Sequence, residues 1–304
     1  MAIVLGPHQY GKAESRLVRV QRDTARHEIR DLNVSTCLRG SFAEAHLYGD
    51  QSHVLPTDTQ KNTAFAFAKS KGIQSIEEFG IALATHFVDD IEPVHGARVE
   101  IEEYGWERAI VDGVEHDHTW TRTGPEIRTA AVTVEGEGET QAIHVIAGLK
   151  DLVLLKSTGS EFHAFLIDEF TTLPETNDRV LATSLVARWR YDTTDVGAID
   201  WDETYASVRR TLVKKFATLQ SLALQQTLWH MGKAVLMEHP QILEIQFTAP
   251  NKHHVVVDLA PFGLENKNEV FHAADRPYGL IQTTVTRDDA PAAGMAWVSG
   301  AGLA

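Results

Sequence analysis

The chain has 304 residues, 43% of them apolar and 23% charged, the composition of a soluble globular protein with material for one large domain or two ordinary ones. Its 28 basic and 42 acidic side chains leave a net charge of −14, which argues against gripping nucleic acid through its phosphates. Salt screens that charge beyond about 8–10 Å, so an anion site has to be made locally, from a few placed cations and N–H groups. No apolar run is long enough to cross a membrane, and the start, MAIVLGPHQYGK, lacks the basic and apolar regions of a secretory signal. Cys37 is the one cysteine, so no internal disulfide forms and a reducing compartment is expected; in a strand-like run it reads as core filler rather than nucleophile. Gly302-Leu303-Ala304 is not an SKL-type peroxisomal address, and the expected setting is cytoplasmic.

In chain order, Leu17–Val20 is a short β-rich run. From Leu32, the alternation of Leu32, Val34, Thr36 and Leu38 with Asn33, Ser35 and Cys37 predicts a strand with one buried face. A polar stretch from His53 leads into a short helix predicted over Thr63–Lys71, stopped by Gly72. Ser75 and Glu78 form a capping box, and Ile76, Phe79, Leu83, Phe87 and Ile91 follow at helical spacing up to Pro93. Ala97, Val99 and Ile101 then alternate with charged residues, and a strand pair is predicted through Glu107–Val111 and Thr119–Val134.

The second half repeats the order. Strands are predicted over Ala142–Lys156 and Leu181–Tyr191. A helix behind Asp200 and Glu203 carries Tyr205, Val208, Leu212, Phe216 and Leu219 on one stripe. After a break at Ser221, a second helix starts near Gln225 and Pro240 ends it. Strands follow at Leu243–Phe247, Val255–Leu259 and Leu280–Thr286. The expected fold is α+β: two ββααββ repeats, residues 1–138 and 139–304, with an antiparallel sheet and helices on one face. The acidic EGEGE stretch holding Gly136 and Gly138 reads as the linker. Sheet edges invite pairing with another chain, so an oligomer joined edge to edge is expected. The small-residue tail from about Asp289 reads either as anchored by Trp297 or as loose.

The stretch Lys156–Arg179, KSTGSEFHAFLIDEFTTLPETNDR, combines Phe162, Phe165 and Phe170 with Arg179. A ring that stacks and a planar guanidinium that grips an edge are the parts needed to hold a flat anion. KSTxSxFxxF followed by DEFTTL resembles urate oxidases (uricases). So do Tyr10-Gly11-Lys12, the TDxxKNT pattern at Thr57–Thr63, Leu224-Gln225-Gln226-Thr227 and Pro250-Asn251-Lys252-His253. These motifs lie in family order across both repeats. The resemblance implies the tunnelling fold (T-fold), in which four chains form a tunnel-shaped oligomer, a homotetramer. It also implies cofactor-free oxidation of urate by dioxygen and water to 5-hydroxyisourate and hydrogen peroxide, a step of purine degradation, with no metal.

By the same resemblance, Phe162 stacks on the purine and Arg179 grips one edge. Gln225 pairs with the opposite edge, the backbone N–H of Leu224 donates to the ligand, and Asn251 holds dioxygen or water above the ring. The spot at Leu224 is also the first turn of a predicted helix, where free N–H groups favour an anion. Thr57 and Asp58 close the other side through backbone N–H groups, and Lys12, Thr57 and His253 form a proton relay. In the family these come from a neighbouring chain, so the pocket lies between subunits.

Two other functions stay open on the sequence. Glu115-His116-Asp117-His118 puts two imidazoles on one face of a strand beside carboxylates, a zinc or iron pattern that would make a metal-dependent oxygenase or hydrolase. His253 and His254 do not make such a pair, because adjacent strand residues face opposite ways. The other alternative is a non-catalytic purine- or pterin-binding protein of the same fold.

Overall fold

A computed structural model describes residues 2–193 and 195–298; the C-terminal tripeptide compared above with a peroxisomal address lies outside them. Residue packing separates two compact units. The first holds Met1–Gly148, Arg190–Asp202 and the residues from Pro291; the second holds Leu149–Trp189 and Glu203–Ala290.

In the first unit, β1 (Tyr10–Gln21), β2 (Glu28–Gly40), β3 (Val94–Val111) and β4 (Val114–Glu135) pair antiparallel in chain order. Helices α1 (Ala43–Tyr48), α2 (Thr57–Ser70) and α3 (Ile76–Asp89) lie between β2 and β3 in sequence. The capping box at α3 forms as expected: the Ser75 hydroxyl accepts the Glu78 N–H at 3.1 Å. Gly80 lets α3 press on the sheet, since a Cβ there would meet Val132 Cγ2 at 2.8 Å.

Three expectations are corrected in this unit. Helix α2 starts at Thr57, six residues before the sequence placed it. Its first turn is polar throughout, and its buried stripe is Gln60, Ala64 and Ala68, so apolar periodicity misses its beginning. Strand β2 is buried on both faces from Asp31 to Leu38. Leu32, Val34, Thr36 and Leu38 share one face; Ser35 and Cys37 share the other with their partners Glu100 and Arg98. Part of that second face is covered by the C-terminal segment. Ala296 is buried with Ala131 and Ile146, Trp297 packs against them, and the Ala296 carbonyl accepts from Arg98 Nη1 at 2.9 Å. As far as Val298, then, the tail takes the anchored form. Finally, β3 and β4 form one long hairpin, turning at Asp112 (φ 52°) and Gly113 (φ 84°), a pair suited to left-handed backbone.

Strands β5 (Ala142–Lys156) and β6 (Leu181–Tyr191) begin in one unit and end in the other. The second unit carries α4 (Trp201–Thr218) from Glu203 onward, α5 (Leu224–Glu238), β7 (Ile242–Val256) and β8 (Phe271–Thr286). On α4, Val208, Leu212 and Phe216 are buried, as their spacing predicts. Separate strands are expected at Leu243–Phe247 and Val255–Leu259, yet β7 continues through Pro250-Asn251: Pro250 pairs with Leu280 and Asn251 with Gly279. Among the described residues β1 and β8 each pair on one side only.

Candidate active site

The candidate residues fall into two groups, one in each unit. In the first unit, Lys12 lies on β1 where that strand is irregular. Gly11 lets β1 and β2 lie close, because a Cβ there would lie 1.8 Å from the Thr36 carbonyl oxygen and would force the strands apart. Directly after Lys12 the register with β2 shifts, resuming at Ser15, and Glu14 takes a φ of 56°. Such a bulge bends the strand and re-aims its side chains.

Thr57 opens α2 behind Pro56, which supplies no side-chain cap; the first intrahelical bond runs from Gln60 N to the Pro56 carbonyl at 3.2 Å. The N–H groups of Thr57 and Asp58 therefore belong to the set that a helix start leaves for outside acceptors. The Asp58 carboxylate is turned to its own helix, accepting from Lys61 and from Asn62 Nδ2 at 2.9 Å. Those partners, with the more distant Lys12 ammonium, hold it below the usual carboxylate range.

The second group stands on an irregular segment, 157–180, held by paired backbone. Ser160 and Ser221 form a parallel bridge and both are fully buried. Ser221 N donates to Gly159 O at 2.9 Å, and Glu161 N to Ser221 O at 2.9 Å. Phe162 and Thr176 exchange two bonds of 2.8 and 2.9 Å, and Arg179 N donates to Ser160 O at 2.8 Å. Phe162 and Arg179 are thereby brought together, the guanidinium carbon 5.2 Å from the ring centroid. Arg179 Nε donates to Ser160 Oγ at 3.3 Å, which leaves the Nη edge for a ligand. Phe165 backs Phe162, with centroids 4.9 Å apart and planes at 17°. Burial lowers the Arg179 pKa, yet a guanidinium keeps its charge, so a half-desolvated cation faces the site.

The Ser221 bridge also places the start of α5. Ser221 Oγ and the buried Thr227 Oγ1, one turn into the helix, are joined by a hydrogen bond of 2.7 Å. Ala223 gives α5 no side-chain cap, so Leu224 and Gln225 enter the helix with their N–H groups outside its ladder. Lys156 Nζ, donating 2.7 Å to the Leu219 carbonyl, ties the approach to this loop. Asn251 and His253 lie on β7 on either side of a second bulge, where the register with β8 shifts. Both sets of strand-borne candidates thus sit where ladder register breaks, through an extra residue on β1 itself at Lys12 and through extra residues on the partner strand β8 opposite Asn251 and His253.

Sequence reading missed Thr36, Gln60, Ser160, Ser221 and Thr227, buried polar residues whose one signal was their place in or beside a motif. A cleft of about 450 Å³ beside β1 and α2 is lined by Leu17, Arg19, Phe65 and Lys69, among others, and contains none of the candidates.

A profile of the Uricase family matches residues 8–133 and 145–282. The uricase of Arthrobacter globiformis is 51% identical over 301 residues, covering 99% of this chain and 96% of that protein. The rabbit (Oryctolagus cuniculus) uricase is 38% identical over 284 residues, covering 91% and 93%. This chain belongs to the uricase family. Its activity is the oxidation of urate by dioxygen. The fold agrees: the crystal structure of the Arthrobacter globiformis uricase superposes with a TM-score of 0.90, covering 96% of this chain and 98% of that one.

The metal alternative finds no ligand set. The His116 and His118 rings do share a face, with centroids 4.5 Å apart, but they meet edge to face, and Glu115 and Asp117 pair with Arg26. Among the described residues no group of three or more His, Cys, Asp or Glu side chains is placed to hold a metal ion. Burial pushes the Cys37 thiol up to about 11, which suits core filler and not a nucleophile.

Proposed function

We propose that urate is oxidised here without metal or organic cofactor, in a pocket made of two half-sites from different copies of the chain. The observation that carries this reading is the Phe162–Arg179 pair beside the uncapped start of α5. Purine stacks on the face of Phe162 away from Phe165. The Arg179 Nη edge grips one side of the anion, while Gln225 and the Leu224 N–H take the other. Asn251 holds dioxygen, then water, above the ring.

Lys12, Thr57 and His253 form the proton relay, and the Thr57 and Asp58 N–H groups close the pocket. The protein removes a proton, and the electron-rich urate dianion itself reduces dioxygen. Urate, O2 and H2O give 5-hydroxyisourate and H2O2, so oxygen receives the two electrons that urate loses. Each chain comprises two repeats meeting near residue 138, and four chains form the tunnel, with β1 and β8 as the edges available for pairing. The setting is cytoplasmic.

Mixing tests the sharing. At urate far below saturation Lys12→Ala and Arg179→Ala are each expected to turn over little alone, the first through kcat and the second through weakened binding, and hybrid oligomers of the two to regain part of the activity, because some pockets then draw both halves from intact copies. Hybrids as dead as their parents would refute a pocket built from two chains. Chelator-treated protein is expected to consume urate and oxygen at the untreated rate; no turnover there would end the cofactor-free reading.

A further inference from the structure

We propose that Gln60 and Thr36 are positioning residues for the proton relay, holding Lys12 and Thr57 at a fixed span through one buried hydrogen-bond chain. This rests on the assignment of Lys12 and Thr57 to the relay.

Gln60 occupies a place where the helix calls for an apolar side chain. It is fully buried, in line with Ala64 and Ala68 on the core stripe of α2. A buried amide costs stability unless its polar atoms are satisfied, and here both are. Gln60 Oε1 accepts from the Thr36 hydroxyl at 2.7 Å, and Gln60 Nε2 donates to the Leu55 carbonyl at a longer 3.5 Å. The same carbonyl accepts from Tyr10 OH at 3.0 Å. Thr36 is the cross-strand partner of Lys12, and its Oγ1 accepts the Lys12 N–H at 3.4 Å.

The chain of bonds thus leaves β1 at Tyr10 and Lys12, crosses β2 at Thr36 and reaches α2 at Gln60. Its contacts bracket Thr57, with Leu55 two residues before it and Gln60 one turn after. It acts where the ladder gives out, because the β1–β2 register shifts immediately after Lys12. An apolar residue at 60 would fill the space while leaving β1 and α2 to slide past each other. The TDxxKNT pattern leaves this position open, so the motif alone does not supply the tether. Misplacement of reacting groups by about 1 Å costs up to about 100-fold in rate, which makes such a tether consequential.

The test uses the full-length oligomer with Thr36→Val, Thr36→Ser and Gln60→Leu, reading kcat for urate and the dissociation constant of the non-oxidised analogue 8-azaxanthine. Thr36→Val and Gln60→Leu are expected to lower kcat about tenfold with analogue binding within threefold. Thr36→Ser, which keeps the hydroxyl, should stay within twofold of the parent. The double variant should fall no further than the worse single one, since both cut the same chain. The proposal is overturned if Thr36→Val keeps kcat within twofold, or if analogue affinity falls in step with kcat and Thr36→Ser restores neither. Should Gln60→Leu fail to fold, the Thr36 pair decides alone. Lys12→Met is the control: if it loses turnover while Thr36→Val and Gln60→Leu keep theirs, the positioning role falls and the relay stands. If Lys12→Met itself keeps kcat, the relay falls and takes the positioning role with it.

Discussion

The two half-sites are built in different ways. The half with Lys12 and Thr57 is rooted in a bulged β-strand and a helix start, tied by side chains buried beneath them. The half with Phe162 and Arg179 stands on a segment without regular structure, fixed by short backbone bridges to Thr176 and Ser221. The difference matches the two tasks. Proton transfer needs heavy atoms at hydrogen-bond distance and tolerates little displacement. Stacking and an anion grip spread over a ring face and a flat fork, and tolerate more. Lys12 and Thr57 should therefore govern turnover and Phe162 and Arg179 should govern binding, with Asn251 and His253 on β7 serving the chemistry from the second unit.

The widest effect tests that division directly. Lys12→Met is expected to lower kcat by about 1,000-fold, within the range for loss of a general base, while 8-azaxanthine binds nearly as before. A matching loss of affinity would erase the distinction. Arg179→Ala is expected to weaken 8-azaxanthine by about 100-fold, because it removes the charge partner and leaves the ligand's edge unpaired. If kcat fell by as much and affinity held, the second half would be doing chemistry instead.

The sequence showed more of the scaffold than of this division. Amphipathic spacing disclosed α3 and α4, a capping box marked the start of α3, and the break at Ser221 with Pro240 bounded α5, because those signals are local. The start of α2 stayed hidden since its core stripe begins with an amide at Gln60. Pro250-Asn251 falls between two predicted strands, since the alternation stops at Phe247, yet it pairs within β7. The bulges at Lys12 and Asn251 depend on a partner strand, which no local window contains. The Thr36–Gln60 bond joins residues 24 positions apart, and its significance appears only once β2 and α2 are folded. The candidates themselves were legible through family motifs, not through spacing.

Gly11→Ala sharpens the comparison by loosening the first half without removing a chemical group. The added Cβ would lie 1.8 Å from backbone oxygen, so β1 must move away from β2. A loss of about 2–3 kcal/mol in stability is expected, with kcat falling and analogue affinity nearly kept. Unchanged stability in urea unfolding would show that β1 shifts freely and that the first half is less firmly rooted than its bonds imply.

The smallest expected effect concerns the charge buried under that firm half. Glu77, in the first turn of α3, is fully buried and accepts from Arg128 Nη2 at 2.7 Å, while its Oε1 has no hydrogen-bond partner among the described residues. Burial outweighs the pull of Arg128 and pushes the carboxyl from 4.5 up to about 7. The folded protein then holds this proton more tightly than the unfolded chain. The stability this gives is full below pH 4.5 and is lost as pH rises through 7. Glu77→Gln cannot titrate, and Arg128 keeps Asp202 as a partner. The variant should therefore gain on the parent as pH rises from 5 to 8, by on the order of 1–3 kcal/mol, and level off above. Urea unfolding of both proteins at several pH values reads the difference. If that difference stayed flat, Arg128 would hold Glu77 ionised throughout, and the scaffold of the first half would contain a settled ion pair rather than a carboxyl that resists its charge.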